Sequence, residues 1–451
     1  MASRRKERAR QPSGEELELE VERLVNGPGA MGHAPDGRVV FLSEGLPGER
    51  VRAQVQSGKS NYLRARVVRV LGEAAADRRA PPCPVVTLCG GCPWQELEYE
   101  AQVVAKQDVV LREIERACRT RPEEVHDPIV GSQWRARHRI RLAVGRAGGG
   151  APIVGYRGRG KHEIVPIEDC PIAREELSAA LPLARGLAER EKTVREIELS
   201  VDDRGVVRLR GVCSPGKPPE AERLFGELTD LARRSEPPCP APAGIAFEPA
   251  ESSARWRTEA GDVLQRIVVA SDMEIGVPLG VFTQVNADLN ARLVAAVVGE
   301  VAGAGGRNVV DLYCGAGNFS LPLARAGVNV FGIDADDRAI AAARASAAKL
   351  GLDDRARFDT RVADDLALAG IESPPDVVVL DPPRTGAAPV LSAVLAARPS
   401  VLVYVSCDVA TFARDARRFL AEGWSFSSLR LIDLTPQTYR AEVLGVFRLT
   451  W

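Results

Sequence analysis

Cys407 sits where a thiol can act as a nucleophile. The apolar, β-branched run "SVLVYVS" leads into it, and "ATFARDARRFLAEG", with helical spacing, follows closely. A thiol at such a strand-to-helix junction is either packing or, once ionised, a nucleophile. A second group of thiols is concentrated in "PPCPVVTLCGGCPWQ", which supplies Cys83, Cys89 and Cys92, with Cys170 much later in "EDCPI". Zinc sites usually pair two C-x-x-C knuckles, and only one close pair is present. Three ligands from one loop and a distant fourth followed by Pro suit a [4Fe-4S] cluster better, with zinc or free thiols as alternatives. Cys118, Cys213, Cys239 and Cys314 have no partner motif and read as packing residues.

Carboxylates and glycines add a second chemistry. "VVDLYCGAGNFSLPLA" runs from a buried strand through a Gly turn into a helix, and Gly315 and Gly317 let the backbone approach a ligand. A dinucleotide fingerprint wants a third Gly where Ser320 stands, which disfavours a pyrophosphate. Asp334, ending the strand "FGID", is placed to accept from ribose hydroxyls. Asp381 ends "VVVLD" before two stiffening prolines, and Asp364 is a candidate partner for an adenine. In "WRARHRIRL", strict alternation puts Arg135, Arg137, Arg139 and Arg141 on one strand face. Four guanidinium groups side by side need anions, either phosphates or nearby carboxylates.

The elements that must position these groups divide the chain. At 451 residues it exceeds one ordinary core, and 45% hydrophobic with 27% charged residues is ordinary for a globular protein. The N-terminal stretch has no apolar h-region and no run reaches membrane-span length, so a cytoplasmic location is expected. Net charge is −1, so any nucleic-acid surface must come from local clustering. Only four His make a His-based metal site or triad a poor prospect. Residues 1–15 read as a disordered tail. Residues 16–73, short strands broken by turns, read as a five-stranded OB-like β-barrel. Residues 74–285 read as a central α+β domain, and 286–451 as a βαβα Rossmann-like α/β domain with a mainly parallel sheet. The last two strands read as a hairpin-like pair that supplies an antiparallel edge.

With "DPPRTG", "YVSCD", "TFARD" and "PQTYRAE" in this order, the chain resembles the uracil-5 RNA methyltransferases, class I enzymes dependent on S-adenosylmethionine. It is most similar to the 23S ribosomal RNA branch that carries a [4Fe-4S] cluster and an N-terminal TRAM domain. The resemblance implies Cys407 as the nucleophile that adds to uracil C6 and Glu442 as the base that removes the C5 proton. It assigns Gln284, Tyr313, Gly315, Gly317, Asn318, Asp334, Asp364 and Asp381 to the cofactor, and Cys83, Cys89, Cys92 and Cys170 to the cluster. It places Arg135 near the flipped base, with RNA as partner and a monomeric state. Four places depart from the family pattern, one of them "LTP" near Thr435, which replaces a more aromatic stretch. Asp408 stands where Asn is common beside the nucleophile, Arg440 where His is typical, and Ser346 where Asn is usual. Two other readings remain: the same reaction on the transfer RNA T-loop, and an RNA-binding or folding factor that has lost catalysis.

Overall fold

The computed structural model describes residues 14–146, 148, 150–160, 163–251, 256–371 and 373–450. Most of the tail expected to be disordered lies outside these. Gly14 and Glu15 already bond to Val55, through Gly14 N–H to Val55 O and Val55 N–H to Glu15 O. The chain forms two compact units. The first holds residues up to 82, 92–112 and 437–440, and the second holds the rest.

In the first unit, β1 (Glu16–Glu20), β2 (Arg23–Leu24), β3 (Ala30–His33), β4 (Val39–Leu42), β5 (Arg50–Gly58) and β6 (Tyr62–Leu71) form one sheet. Its order is β1-β5-β6-β4-β3-β2. The six strands replace the expected five because β1 and β2 are halves of one bent segment. Between them, Val21 N–H bonds to Glu49 O and Glu22 N–H to Met31 O, so one stretch of chain serves both edges and the sheet curls onto itself. The alternation along β5 and β6 fills the interior with Val51, Ala53, Val55, Leu63 and Ala65. The helix α1 (Tyr99–Cys118) follows.

The second unit carries two large sheets. β7 (Glu124–Ile129) joins the later one. A seven-stranded sheet contains β8 (Arg139–Arg146), β9 (Pro152–Arg157), β10 (Ile164–Pro166), β11 (Val194–Val201), β12 (Val207–Cys213), β13 (Gly244–Pro249) and β14 (Thr258–Gly261). The helices α2 (Glu175–Ala179), α3 (Leu181–Arg190) and α4 (Ala221–Arg234) interrupt it. A separate hairpin, β15 (Leu264–Ala270) with β16 (Met273–Pro278), follows.

From α5 (Ala287–Gly303) onward, strands and helices alternate as the sequence pattern predicts. They are β17 (Asn308–Leu312), α6 (Ser320–Arg325), β18 (Asn329–Asp334), α7 (Asp337–Leu350), β19 (Ala356–Thr360), β20 (Val377–Leu380), α8 (Leu391–Ala397), β21 (Val401–Ser406), α9 (Val409–Ala421), β22 (Trp424–Ile432) and β23 (Glu442–Leu449). The sheet order is β19-β18-β17-β20-β21-β23-β22-β7. β17 to β21 are parallel, and both β20 and β21 are buried along their whole length. Burying each Val or Leu of these strands contributes about 1.5–3 kcal/mol. The strand order reverses between β17 and β20, which opens a crevice at their carboxyl ends.

One expectation changes. The final antiparallel pair does not form the sheet edge: β23 lies between β21 and β22, and β7 pairs parallel to β22 outside them. Among the described residues no helix is long and apolar enough to cross a membrane.

Candidate active site

The carboxyl ends of four strands meet at the crevice. β17 leads into Tyr313, β18 ends in Asp334, β20 leads into Asp381 and β21 into Cys407. Ser406 pairs with Val443 in the antiparallel β21–β23 ladder, so the next position on each strand sets Cys407 beside Glu442. The two groups feel each other. The Cys407 thiol is pushed up to about 11, by burial first and then by Glu442 and Asp381, while Arg384 acts in the opposite direction. Glu442 is buried and held well above the usual carboxylate range, by desolvation and by Asp381, again opposed by Arg384.

The Gly turn is shaped by its backbone. Tyr313, Gly315 and Gly317 all take positive φ, at 66°, 55° and 91°. Gly315 N–H donates to Asp334 Oδ2 at 2.9 Å, and Asp336 N–H to Asp334 Oδ1 at 2.8 Å, so Asp334 ties the turn to the start of α7. Asn318 and Asn290 form a reciprocal amide pair at 2.8 and 3.0 Å. Gln284 Nε2 approaches Asp381 Oδ2 at 3.5 Å. Gln284, Asn290, Tyr313, Gly315, Asn318 and Asp381 line one cavity. Asp311, fully buried at the end of β17, accepts from Ser320 Oγ, and its Oδ1 has no hydrogen-bond partner. Burial pushes Asp311 up to about 7, and Asp381 up to about 7 as well. A buried cluster of carboxyl groups fits a cationic sulfonium ligand, whose charge offsets the cost of ionising them.

Cys314 is buried in the core, as expected of a packing residue. Asp364 is exposed in the turn after β19, where its Oδ1 accepts Leu366 N–H at 2.9 Å. Its described hydrogen bonds are local. Asp408 caps α9, accepting Thr411 N–H at 2.9 Å, a task its usual replacement Asn performs equally. Arg384 and Asn290 were not singled out in the sequence. The polar Asn290 four residues after the cap Asn286, on an otherwise apolar helix face, was the available signal.

The basic strand differs from expectation. Regular strand begins only at Arg139, because Arg135 takes a φ of 52° and breaks the alternation. Arg135 pairs with Asp169 at 2.7 Å, and Arg141 with Glu196 and Glu198 at 3.2 and 3.3 Å. Arg139 donates to Thr283 O at 3.2 Å and lies 5.5 Å from the centre of the exposed Phe282 ring. Arg137 bonds through its backbone to Ile172, and its guanidinium has no ion pair with a described residue. Carboxylates thus neutralise two of the four.

A different row stays unpaired. On the outer face of β6, Tyr62, Arg64 and Arg66 recur every second residue, and neither arginine has an ion pair with a described residue. The exposed Phe41 packs edge-on to Tyr62 at 5.9 Å between centroids, and the Lys59 ammonium lies 5.8 Å from the Tyr62 ring centre.

The cysteine loop is partly assembled. Cys83, Cys89 and Cys170 belong to the second unit and Cys92 to the first. Burial raises the Cys89 thiol, and Cys170 and Cys83 lie near enough to raise it further. Cys89 Sγ accepts Gly91 N–H at 3.4 Å, and Cys170 Sγ accepts the Tyr156 hydroxyl at 3.6 Å. Among the described residues no group of three or more His, Cys, Asp or Glu is arranged to hold a metal ion.

Residues 262–358 match the family model described as tRNA (Uracil-5-)-methyltransferase, and residues 10–68 match the TRAM domain. The chain is 33% identical to a 23S rRNA (uracil(1939)-C(5))-methyltransferase of Alkalilimnicola ehrlichii, covering 99% of both chains. It is 32% identical to one of the same description from Azoarcus sp., covering 91% of this chain and 95% of that one. Among solved structures it is similar to a Pyrococcus abyssi tRNA (uracil-54, C5)-methyltransferase in complex with S-adenosyl-L-homocysteine. That match has a TM-score of 0.70 at 22% identity and covers 96% of this chain and 100% of the other.

Proposed function

The chain belongs to the RNA uracil-5 methyltransferase family, and from that premise we propose that it methylates C5 of a uridine in 23S ribosomal RNA. The observation that carries the reading is the meeting of Cys407 and Glu442 across the β21–β23 ladder at the mouth of the cofactor crevice. When bound, S-adenosylmethionine supplies the electrophilic methyl group that C5 takes. Gln284, Tyr313, Gly315, Gly317, Asn318, Asp334 and Asp381 hold it, with Asp364 a further candidate at the adenine end.

Uracil C5 is a poor nucleophile until a thiolate adds at C6. The Cys407 sulfur forms that bond, and the ring becomes an enolate whose electron density sits at C5. After C5 is methylated, Glu442 removes its proton, the C5–C6 double bond re-forms and the C6–S bond breaks. Arg384 assists both ends by favouring the thiolate and the ionised carboxylate. Extruding a base from folded RNA costs a few kcal/mol, which RNA contacts must supply. The barrel row of Lys59, Arg64 and Arg66 with the Phe41–Tyr62 pair suits a single strand, with Arg64 and Arg66 about 7 Å apart along β6 and the rings open to a base. Arg135, Arg137, Arg139 and Arg141 remain candidates, with Arg137 the freest.

A [4Fe-4S] cluster on Cys83, Cys89, Cys92 and Cys170 belongs to the proposal on the strength of its all-thiol donor set, with Cys83 and Cys170 near enough to Cys89 to raise its thiol. Iron and sulfide assays on anaerobically prepared protein test it, with loss of both in Cys170→Ser expected. Nothing in methyl transfer needs an electron, so the cluster's role is structural or RNA-shaping. The protein acts in the cytoplasm as a monomer. The ribosomal reading is favoured over the transfer RNA reading by relatives matched along their whole length.

Labelled S-adenosylmethionine with unmodified ribosomal and transfer RNA, read by nucleoside mass spectrometry, tests the function. Wild type yields 5-methyluridine in 23S RNA, and Cys407→Ala yields none. Methylation of transfer RNA alone overturns the substrate, and methylation by Cys407→Ala overturns the nucleophile.

A further inference from the structure

One buried carboxylate outside the reacting groups joins three separate pieces of the site. Asp415, in α9, is fully buried. Its Oδ2 accepts the Tyr404 hydroxyl at 2.9 Å and Ala387 N–H at 2.8 Å, and its Oδ1 accepts Arg414 Nε at 2.8 Å. Arg414 in turn donates to Thr385 O at 2.9 Å. Tyr404 lies on β21 three residues before Cys407, Asp415 lies eight after it, and Ala387 lies three after Arg384. The loop between them leaves no slack. Gly386 takes a φ of 80°, and a Cβ there would stand 2.6 Å from Asp415 Oδ2. Gly386 N–H also closes a turn onto Pro383 O at 2.8 Å.

We propose that Asp415 is a positioning residue: through Tyr404, Ala387 and Arg414 it fixes the Asp381–Ala387 loop against the Cys407 strand, and so holds Arg384 toward the nucleophile and the base. This rests on the methyltransferase reading and adds to it a residue that touches no substrate. A carboxylate suits the task because it accepts three bonds in two directions, while Asn offers one accepting oxygen and turns an N–H₂ toward the remaining donors. Such a buried partner is costly to lose, since the Tyr404 hydroxyl and Ala387 N–H are then left unsatisfied. Loosening a loop by about 1 Å is enough to cost about a hundredfold in rate.

The test compares wild type with Asp415→Asn, Tyr404→Phe and Arg384→Gln. Two readouts are taken: steady-state kinetics, and the pH dependence of Cys407 alkylation by iodoacetamide, followed by mass spectrometry of the Cys407 peptide. Asp415→Asn is expected to lower kcat about ten- to a hundredfold, to leave S-adenosylmethionine binding within about twofold and to shift Cys407 alkylation to higher pH. Asp415→Asn added to Arg384→Gln is expected to shift alkylation no further, because both act through the same guanidinium. Full additivity of the two shifts overturns the proposal, and so does an unchanged alkylation profile in Asp415→Asn. If Asp415→Asn fails to fold, Tyr404→Phe, which removes one donor and no charge, must give a smaller shift of the same sign, and no shift overturns the proposal. Because alkylation needs no RNA, its outcome stands even if wild type methylates none of the RNAs offered.

Discussion

Two buried carboxyl groups, Asp311 and Asp381, titrate near neutrality because burial penalises their charged forms. A sulfonium cation in the same crevice favours ionisation, so its binding releases protons and tightens as pH rises through about 7. S-adenosylhomocysteine has no charge on sulfur and lacks this drive. The affinity ratio of S-adenosylmethionine to S-adenosylhomocysteine is therefore expected to rise about tenfold between about pH 6 and 8, as for a one-unit shift. Calorimetry in buffers of different ionisation enthalpy measures both the ratio and the protons released. A flat ratio contradicts the role given to these carboxyls. Cys407, Glu442, Asp334 and Asp381 were singled out in the sequence because each stands at or next to a strand end inside a distinctive local string. Arg384, Asn290 and Asp415 were not; Asn290 and Asp415 each depend on a partner 28 residues away, Asn318 and Ala387. Asp408 looked like a charge set against the thiolate, and only its cap geometry gives it another task.

At the scale of elements, alternating strands and helices identified the parallel sheet, since its central strands β20 and β21 are buried along their whole length and read as apolar runs. The place of β7 was not legible, because pairing with β22 joins segments about 300 residues apart. The basic strand failed for a related reason. Alternation is a local pattern, and neither the φ of 52° at Arg135 nor the Asp169 opposite it is visible locally. The row on β6 is the better candidate for phosphate contact because nothing described neutralises it. Replacing Arg64 and Arg66 together by Gln is expected to weaken RNA binding and reduce the salt slope by about 2. Phe41→Ala is expected to cost about 1–3 kcal/mol of binding with little change in that slope. Fluorescence titrations of an RNA fragment across salt concentrations measure both. An unchanged slope in the double variant contradicts the barrel's role.

For the whole molecule, the same carboxyl groups link stability to pH. In the unfolded chain an aspartate titrates near about 3.9, and in the folded protein Asp311 and Asp381 titrate at about 7. Between those values the folded state binds more protons than the unfolded state. Their contribution to stability is thus fully present below about pH 4 and is lost as pH rises through about 7. Asp311→Asn is expected to reduce the fall in Tm between about pH 5 and 8, leaving stability near pH 5 little changed, since Asn still accepts from Ser320. Calorimetric melts of both proteins across that range check it. The fold therefore keeps a destabilised, electronegative crevice that a cationic ligand relieves.

In the proposed mechanism Cys407 bonds to the uracil and Glu442 releases it. Glu442→Gln keeps the shape of the site and removes the base, so the methylated ring cannot shed its proton. Incubating Glu442→Gln with 23S RNA and S-adenosylmethionine, then denaturing and resolving the products by gel and mass spectrometry, reads this directly. A denaturation-resistant protein–RNA species is expected, linked through the Cys407 peptide, carrying the added methyl group and absent when Cys407 is also changed to Ala. Free methylated RNA at the wild-type rate, or a linkage through any other residue, contradicts it.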